Sequence, residues 1–143
     1  MKRTFHFFVL TAMLTILDLN RAVAANVPIV KSGQPMATLQ IGALASSQEQ
    51  FAAEEIQTFI HRFTNAKLDI RTNRERTLTP TVIALGTPES NPTVCQLLTE
   101  IDGNLGDEGY QIQTIELETE TVIVIIANTG RGVLYGAYAL IEV

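Results

Sequence analysis

The chain has 143 residues, with ten basic and 15 acidic side chains and a formal net charge of -5. An excess of acidic groups repels nucleic acid and anionic lipid at long range, so the composition argues against a general binder of either. A single cysteine, Cys95, excludes an intrachain disulfide. The length suffices for one domain that is stabilised by its hydrophobic core alone.

The first 25 residues have the pattern of a secretory signal peptide. Two basic residues begin the segment, Phe5–Leu17 is apolar, and small residues precede a cleavage-like site at Ala24/Ala25. A membrane anchor is the alternative, but polar side chains interrupt the apolar stretch, which is shorter than the roughly 20 residues of a span. We therefore predict a secreted or periplasmic domain over residues 26–143, with no stable membrane insertion after cleavage. Cleavage would leave seven basic and 14 acidic side chains and a formal charge of -7.

The first half of that domain predicts a strand, a long helix and another strand. Met36–Gly42 alternates as a strand does, and the turn sequence SGQP can join it to an extended Val27–Val30. Ser46 or Ser47, with an acid or amide three residues later, forms a capping box that starts the helix. The predicted core-facing residues, which fall within about 100° on a helical wheel, are Ala52, Ile56, Phe59, Ile60 and Phe63.

Two polar features of this half were weighed as sites. His61 lies opposite the apolar stripe, and we interpret it as a solvated residue because a general base needs a partner to orient it. Asn65 suits the left-handed position that ends the helix, and a strand follows within Lys67–Thr72. The arginine-containing segment Arg71–Pro80 could hold an acidic sugar, but polar loops are usually solvated, so we interpret it as a loop.

The second half predicts a sheet interior. Thr81–Gly86 is a short apolar run that suits an interior strand. Asn91 and Pro92 start a helix whose buried face would include Val94, Leu97, Leu98 and Ile101, with Cys95 at its edge as an inert thiol.

Two further runs predict a hairpin. Gly109–Leu117 alternates until Thr114–Ile115, where we predict a bulge. Val122–Ala127 is continuously apolar and should form a central strand. The short connection makes the two runs antiparallel neighbours. The predicted fold class is therefore α/β (an α+β sandwich), with a mainly antiparallel sheet and two to three helices packed chiefly on one face.

The acids and glycines near this hairpin invite functional interpretations. Asp107 and Glu108 are adjacent, so on a strand they point to opposite faces, whereas glycosidase carboxylates converge at roughly 5 to 10 Å. We interpret them as turn residues. Gly130 and Gly132 flank Arg131 between a strand and a helix, where backbone N–H groups can bind an anion. Because the spacing is not the dinucleotide fingerprint, we interpret this segment as a tight turn on which Arg131 docks.

The last helix, predicted over Val133–Glu142, is apolar nearly all round. Such a helix is buried on two sides, so we expect it to cover the sheet and to contact another domain or subunit. Tyr135 and Tyr138 project from the side away from the sheet. Arg131, Tyr135 and Tyr138 are therefore the candidate interdomain or ligand contacts. No zinc-ligand spacing, no Ser/His/Asp grouping and no phosphate loop occurs, which predicts no catalytic residue, no metal and no cofactor.

Four ordered segments carry a family resemblance. They are QPMATLQIGALASSQEQFAAEEIQTFIHRFTNAKLDI, VIALGTPESNP, LGDEGYQIQT and NTGRGVLYGAYALIE, and together they cover Gln34 to Glu142. This set resembles the small α/β domain on the N-terminal side of the catalytic barrel in bacterial β-N-acetylhexosaminidases of glycoside hydrolase family 20 and in α-glucuronidases.

The resemblance implies a non-catalytic accessory domain of a carbohydrate-degrading enzyme. In those enzymes the acid and nucleophile belong to the barrel that follows, so the implied partner is a catalytic barrel that this chain lacks, either missing or separately encoded. Carbohydrate is a second possible ligand. The alternative function is a stand-alone module that binds carbohydrate or docks onto another protein, with Tyr110, Tyr135, Tyr138 or the arginine loop as contacts.

Overall fold

A computed structural model of the protein describes residues 27–72, 78–98, 100–101, 103 and 105–142. The predicted signal peptide, together with Arg74 and Arg76 of the arginine segment, lies outside the described residues. In chain order the elements are β1 (Val30–Lys31), β2 (Gln34–Pro35), β3 (Ala37–Ile41), α1 (Ser47–Thr64), β4 (Asp69–Thr72), β5 (Thr81–Gly86), α2 (Pro92–Leu97), β6 (Tyr110–Glu116), β7 (Thr121–Ala127) and α3 (Gly130–Ile141).

The main sheet has five strands in the order β4-β3-β5-β7-β6. The first four pair in parallel, and only β6 is antiparallel, to β7. The α/β class is confirmed, but the prediction of a mainly antiparallel sheet is wrong. The physical reason lies in the apolar runs: strands such as β5 are buried on both faces and joined by helices, which is the pattern of parallel sheets. A small hairpin, β1-β2, precedes the sheet.

Helices cover both faces of the sheet, two on one and one on the other. The larger core lies between the sheet and the pair α1 and α3, and its buried residues include Leu39, Ile56, Ile83, Ile125, Val133 and Ala137. The smaller core lies under α2 and includes Val82, Ala84, Val94, Val124 and Ile126. The prediction that helices pack chiefly on one face is confirmed.

Helix α1 begins and ends as predicted. Ser46 caps it in a complete capping box with Glu49, and Asn65 ends it in the left-handed conformation at φ 60°. Phe59 and Phe63, however, are 36% and 71% exposed, so their assignment to the core is wrong. The helix of 18 residues is about 27 Å long, whereas the strands beneath it span about 20 Å or less. Its last turn therefore extends past the sheet.

The hairpin β6-β7 is antiparallel as predicted, but it is regular. The register runs unbroken from Tyr110 opposite Ala127 to Glu116 opposite Thr121, so the predicted bulge is wrong. Ile112 packs against the larger core and Ile115 against the smaller one. The loss of alternation in the sequence thus reflects a strand with an apolar neighbour on each face. Within the described part of the chain, none of the helices has the length and hydropathy needed to cross a membrane.

Candidate functional site

The parallel strands β3, β5 and β7 all end at one edge of the sheet, which we call the carboxyl edge. Each strand is followed by a helix, and the residues before the helices are Ser46, Asn91 and Thr129. Loops and helix N-termini converge at such an edge, and parallel α/β folds bind their ligands there. The carboxyl edge is therefore the first place to look for a site.

The neighbouring strands β3 and β5 form a topological switch point. The helix that follows β3, α1, packs on one face of the sheet, and the helix that follows β5, α2, packs on the other. The two connections leave in opposite directions, which opens a crevice between them. In doubly wound folds this crevice receives the ligand.

Here the crevice is filled by the protein's own carboxylate. Glu49, in the first turn of α1, is 2% exposed. Its Oε2 accepts the Ser46 N–H at 2.6 Å, and its Oε1 accepts the Thr87 N–H at 3.0 Å. The Ser90 hydroxyl donates to the same Oε1. The Glu49 carboxylate, with its three donors, occupies the position that an anionic ligand would take. The carboxylate and its donors therefore stabilise the loops and leave no site for a substrate.

Close backbone contact locks the two loops of the crevice together. A Cβ at Gly42 would lie 1.9 Å from the Ser90 carbonyl oxygen. Asn91 is fully buried, and its amide donates to the Leu85 carbonyl at 3.0 Å instead of capping α2. Only a residue without a side chain fits at position 42, which makes the crevice a packed junction.

A shallow polar pocket of about 290 Å³ remains above this junction. It is lined by Leu44, Ser46, Glu49, Thr87, Glu89, Ser90, Asn128, Thr129 and Gly130. Two of these side chains are carboxylates, and the lining contains no lysine or arginine. The local charge disfavours an anionic sugar or a phosphate at this place.

Arg131 lies beside this pocket, in the first turn of α3, and holds the turn before β6. Its Nη1 lies 3.3 Å from Glu108 Oε1, and both side chains are more than half exposed. The Thr129 hydroxyl donates to the Asp107 carbonyl oxygen in the same turn. Asp107 and Glu108 are thus turn residues, as predicted. An ion pair this exposed contributes about 1 kcal/mol or less to stability.

Helix α3 starts three residues earlier than predicted. It begins at Gly130, with the Thr129 hydroxyl accepting the Gly132 N–H at 3.1 Å as its cap. The two glycines therefore form the first helical turn and not a tight turn before the helix. A Cβ at Gly132 would lie 2.5 Å from the Gly109 carbonyl oxygen, so the glycine lets the turn before β6 pack on the helix.

The two tyrosines of α3 have different surroundings. Burial raises the pKa of Tyr138 above its usual value, and the nearby carboxylate of Glu55 on α1 makes a smaller contribution in the same direction. Tyr135 is 39% exposed. Helix α1 therefore covers one flank of α3, where the sequence argument expected another domain. Tyr135 and Arg131, one turn apart, face solvent.

The opposite edge of the sheet, which we call the amino edge, carries an open apolar groove of about 560 Å³. Its floor includes Ile83 and Ile123, and its walls are the segment 27–31, the last turns of α1 and the end of α3. Phe59 stands in one wall, and its ring packs on that of Phe63 with centroids 4.7 Å apart. Its volume is about twice that of the polar pocket at the carboxyl edge.

Other candidate groups do not assemble into a reactive centre. His61 is exposed on α1, and burial raises the pKa of the Cys95 thiol, which keeps it protonated and unreactive at neutral pH. Across the described ranges, no group of three or more His, Cys, Asp or Glu side chains is placed to hold a metal ion.

Comparison with protein families decides which proteins this domain belongs with. The model of the glycosyl hydrolase family 67 N-terminus matches residues 29–140. The chain belongs to this family. Of the two enzyme groups that the sequence resembles, this match supports the α-glucuronidase type of N-terminal domain, while a relationship to family 20 is not shown. The matched range contains both edges of the sheet.

Structural comparison agrees with a family 67 N-terminal domain. A solved structure described as a novel family GH115 4-O-methyl-α-glucuronidase with specificity for decorated arabinogalactans matches with a TM-score of 0.59 and 14% sequence identity. The match covers 79% of this chain and 14% of the other, so this chain spans only a small part of that relative. At this identity the likeness establishes the fold alone. A search of curated proteins finds no match.

The role of Glu49 at the carboxyl edge was not predicted from the sequence, where Glu49 is only a possible partner in the capping box of α1. Its further donors, Thr87 and Ser90, lie 38 and 41 residues away along the chain. A sequence signal that could have pointed to this role is that Thr87 and Ser90 lie in the loop after one predicted strand, while Glu49 lies at the start of the helix after another. The ends of parallel strands share an edge of the sheet.

Proposed function

We propose that this family 67 N-terminal domain is the non-catalytic accessory domain of an α-glucuronidase-type glycoside hydrolase and works beside a catalytic barrel. The observation that carries the proposal is the family match over residues 29–140. The structural likeness to a glucuronidase of another family supports the fold on which it rests.

The positions of the carboxylates support a role without catalysis. Glycoside hydrolysis uses two carboxyl groups that converge on one bond from roughly 5 to 10 Å apart. Glu49 is buried and holds three donors. Glu108 pairs with Arg131, and Asp107 is next to it in an exposed turn. Glu49 shares the polar pocket with Glu89, but its two oxygens already accept three donors within the chain.

The contact surface proposed here includes Arg131, Tyr135 and Tyr138. Tyr135 is the most available of the tyrosines on α3 because it is 39% exposed. An amphipathic ring presents apolar area together with a polar tip, which suits a contact with another domain or with a sugar. Tyr138 contributes indirectly, since it lies near Glu55 where α3 packs on α1.

Activity assays on the purified 143-residue chain test the absence of catalysis. We expect no release of nitrophenol from aryl glucuronides or aryl hexosaminides. Adding a folded family 67 catalytic region as a separate polypeptide should give a complex. Turnover by the chain alone that is lost in Asp107→Asn or Glu108→Gln would contradict the proposal.

A second candidate function is binding of carbohydrate by the isolated domain. Tyr110 and Tyr135 are 38% and 39% exposed, and Tyr110 lies beside Gly136 on α3, so both rings are accessible to a ligand near this helix. Calorimetry with xylan and chitin oligosaccharides distinguishes the two functions: an accessory scaffold gives no heat of binding, whereas a sugar-binding module gives heat that is lost in Tyr135→Ala.

Export is part of the proposal. A basic start, an apolar stretch and small residues near Ala24/Ala25 support signal cleavage and a secreted or periplasmic domain. Mass spectrometry of the chain recovered from an expressing bacterium tests it. The expected product begins near Ala25, and a full-length product that stays with the membrane would contradict it.

A further inference from the structure

The amino-edge groove has the features of a protein–protein interface whose partner is not bound. Its lining is aliphatic and aromatic, with residues from four separate parts of the chain: segment 27–31, α1, the sheet and the end of α3. Phe59 and Phe63 are left 36% and 71% exposed at its margin. Large apolar side chains that stay exposed around a concave apolar surface mark an interaction site.

The near absence of charged side chains in the groove limits the kind of ligand that it can bind. Among the residues that line it, Lys31 is the only charged one and Thr64 the only other polar side chain. A charged or strongly hydrated ligand would lose its water here without gaining a partner. The occupant must therefore present apolar side chains, with room for one acidic group beside Lys31.

The position of the groove relative to the chain points to the occupant. Leu140 and Ile141, in the last turn of α3, form one wall. In any longer polypeptide of this family, the residues that follow the domain therefore start at the groove. The matched glucuronidase chain is about seven times longer than the matched region, because the match covers 14% of it. Such relatives contain a large body of structure outside the matched region.

We propose that the amino-edge groove is the docking site for an apolar segment of the catalytic barrel. This inference rests on the proposed function and adds the surface through which the two domains join. Phe59, in the wall of the groove, and Phe63, which packs on it at the margin, are the proposed anchors, because aromatic side chains that become buried dominate the energy of most interfaces. The carboxyl edge takes no part in it.

A binding assay with matched variants tests the groove. The full 143-residue chain is titrated with a family 67 catalytic region that is produced separately and shown by circular dichroism to be folded. Phe59→Glu puts a charge into the groove and should weaken binding about tenfold or more. Phe51→Glu is the control, because Phe51 is also on α1, is 46% exposed and does not line the groove. It should bind within about twofold of the parent chain.

A second variant keeps the test valid if Phe59→Glu does not fold. Phe63→Glu introduces the same charge at a side chain that is 71% exposed, so its folding is not at risk. It should also weaken binding several-fold, since Phe63 packs on Phe59. Equal binding by the parent chain, the folded groove variants and the Phe51 control would overturn the groove inference and leave the proposed function standing.

Photo-crosslinking identifies the occupant directly. A benzophenone amino acid in place of Phe63 should crosslink to the catalytic region when the two polypeptides are mixed. A crosslink to residues 1–26 of the same chain, or to a second copy of the chain, would overturn the proposal. If the unaltered chain shows no binding to the catalytic region at all, the proposed function fails as well.

Discussion

The two edges of the sheet differ in whether their side chains are satisfied within the chain. At the carboxyl edge, Glu49, Thr87 and Ser90 satisfy one another in a buried network. At the amino edge, apolar side chains line a groove, and Phe59 in its wall and Phe63 at its margin stay partly exposed. A parallel α/β sheet normally binds ligands at its carboxyl edge, so this domain has its open surface at the opposite end from the usual one.

The contrast suggests that the polar groups at the carboxyl edge serve stability, while the apolar groups at the amino edge are available for binding. Polar groups that are all paired within the chain stabilise the loops and have little left to offer a ligand. Apolar groups that remain exposed retain the free energy of a contact still to be made. We therefore expect substitutions at the carboxyl edge to change stability, and those at the amino edge to change association.

The largest expected effect is at Glu49. Glu49→Ala removes the acceptor of three hydrogen bonds, one of them from the hydroxyl of the buried Ser90, which should lower the free energy of unfolding by about 3 kcal/mol. Urea denaturation followed by circular dichroism measures it. Glu54→Ala, at an exposed position of the same helix, is the control and should cost about 0.5 kcal/mol or less. Equal losses in both variants would remove the distinction between the edges.

A smaller loss is expected at Gly42. In Gly42→Ala the new Cβ meets the Ser90 carbonyl oxygen at 1.9 Å, so the backbone must shift, at a cost of about 2 kcal/mol. Gly103→Ala is the matched control, because its Cβ would have no neighbour within 4 Å. The same denaturation experiment compares them. If Gly42→Ala is as stable as the control, the crevice is not a packed junction.

At the amino edge, stability should hardly change. Phe63→Ser removes a side chain that is 71% exposed, so the free energy of unfolding should stay within about 0.5 kcal/mol. The fluorescence of an apolar dye added to this variant should be lower than with the parent chain, because the variant exposes less apolar surface at the groove margin. By contrast, Ile56→Ala on the fully buried floor should cost about 3 kcal/mol. A large loss in Phe63→Ser would make the margin of the groove part of the core.

The smallest effect concerns the contact between α3 and α1 and depends on pH. Burial and Glu55 raise the pKa of Tyr138 in the folded chain above its usual value. A raised folded pKa means that this contribution to stability is complete below pH 10, the usual pKa of tyrosine, and is lost as pH rises through the folded value. Between pH 9 and 11.5 the midpoint temperature of thermal unfolding should therefore fall more steeply in the parent chain than in Tyr138→Phe. Parallel curves would contradict the contact.

Local chemistry made several elements predictable. The capping box at Ser46, the left-handed Asn65 and the apolar runs of β5 and β7 depend on neighbours in sequence, and all lie where predicted. The antiparallel hairpin was predictable because its connection is short. The start of α3 was placed three residues late, because the contact of Gly132 with Gly109 cannot be seen in sequence.

Long-range arrangement was not accessible in the same way. Strand direction in β3, β5 and β7 depends on how the helices cross the sheet, and the buried character of these strands was the one available indication. Phe59 and Phe63 continue an apolar stripe, so their exposure depends on the length of the sheet beneath α1. The role of Glu49 requires loops that are far apart in sequence to meet.

Hydrogen exchange measured by mass spectrometry tests the contrast between the two edges most directly. The full chain is compared alone and in the presence of a folded family 67 catalytic region. We predict slower exchange in segments 27–31, 59–64 and 138–141, with segments 46–49 and 87–91 unchanged. Protection confined to 46–49 and 87–91, with no change around the groove, would contradict it.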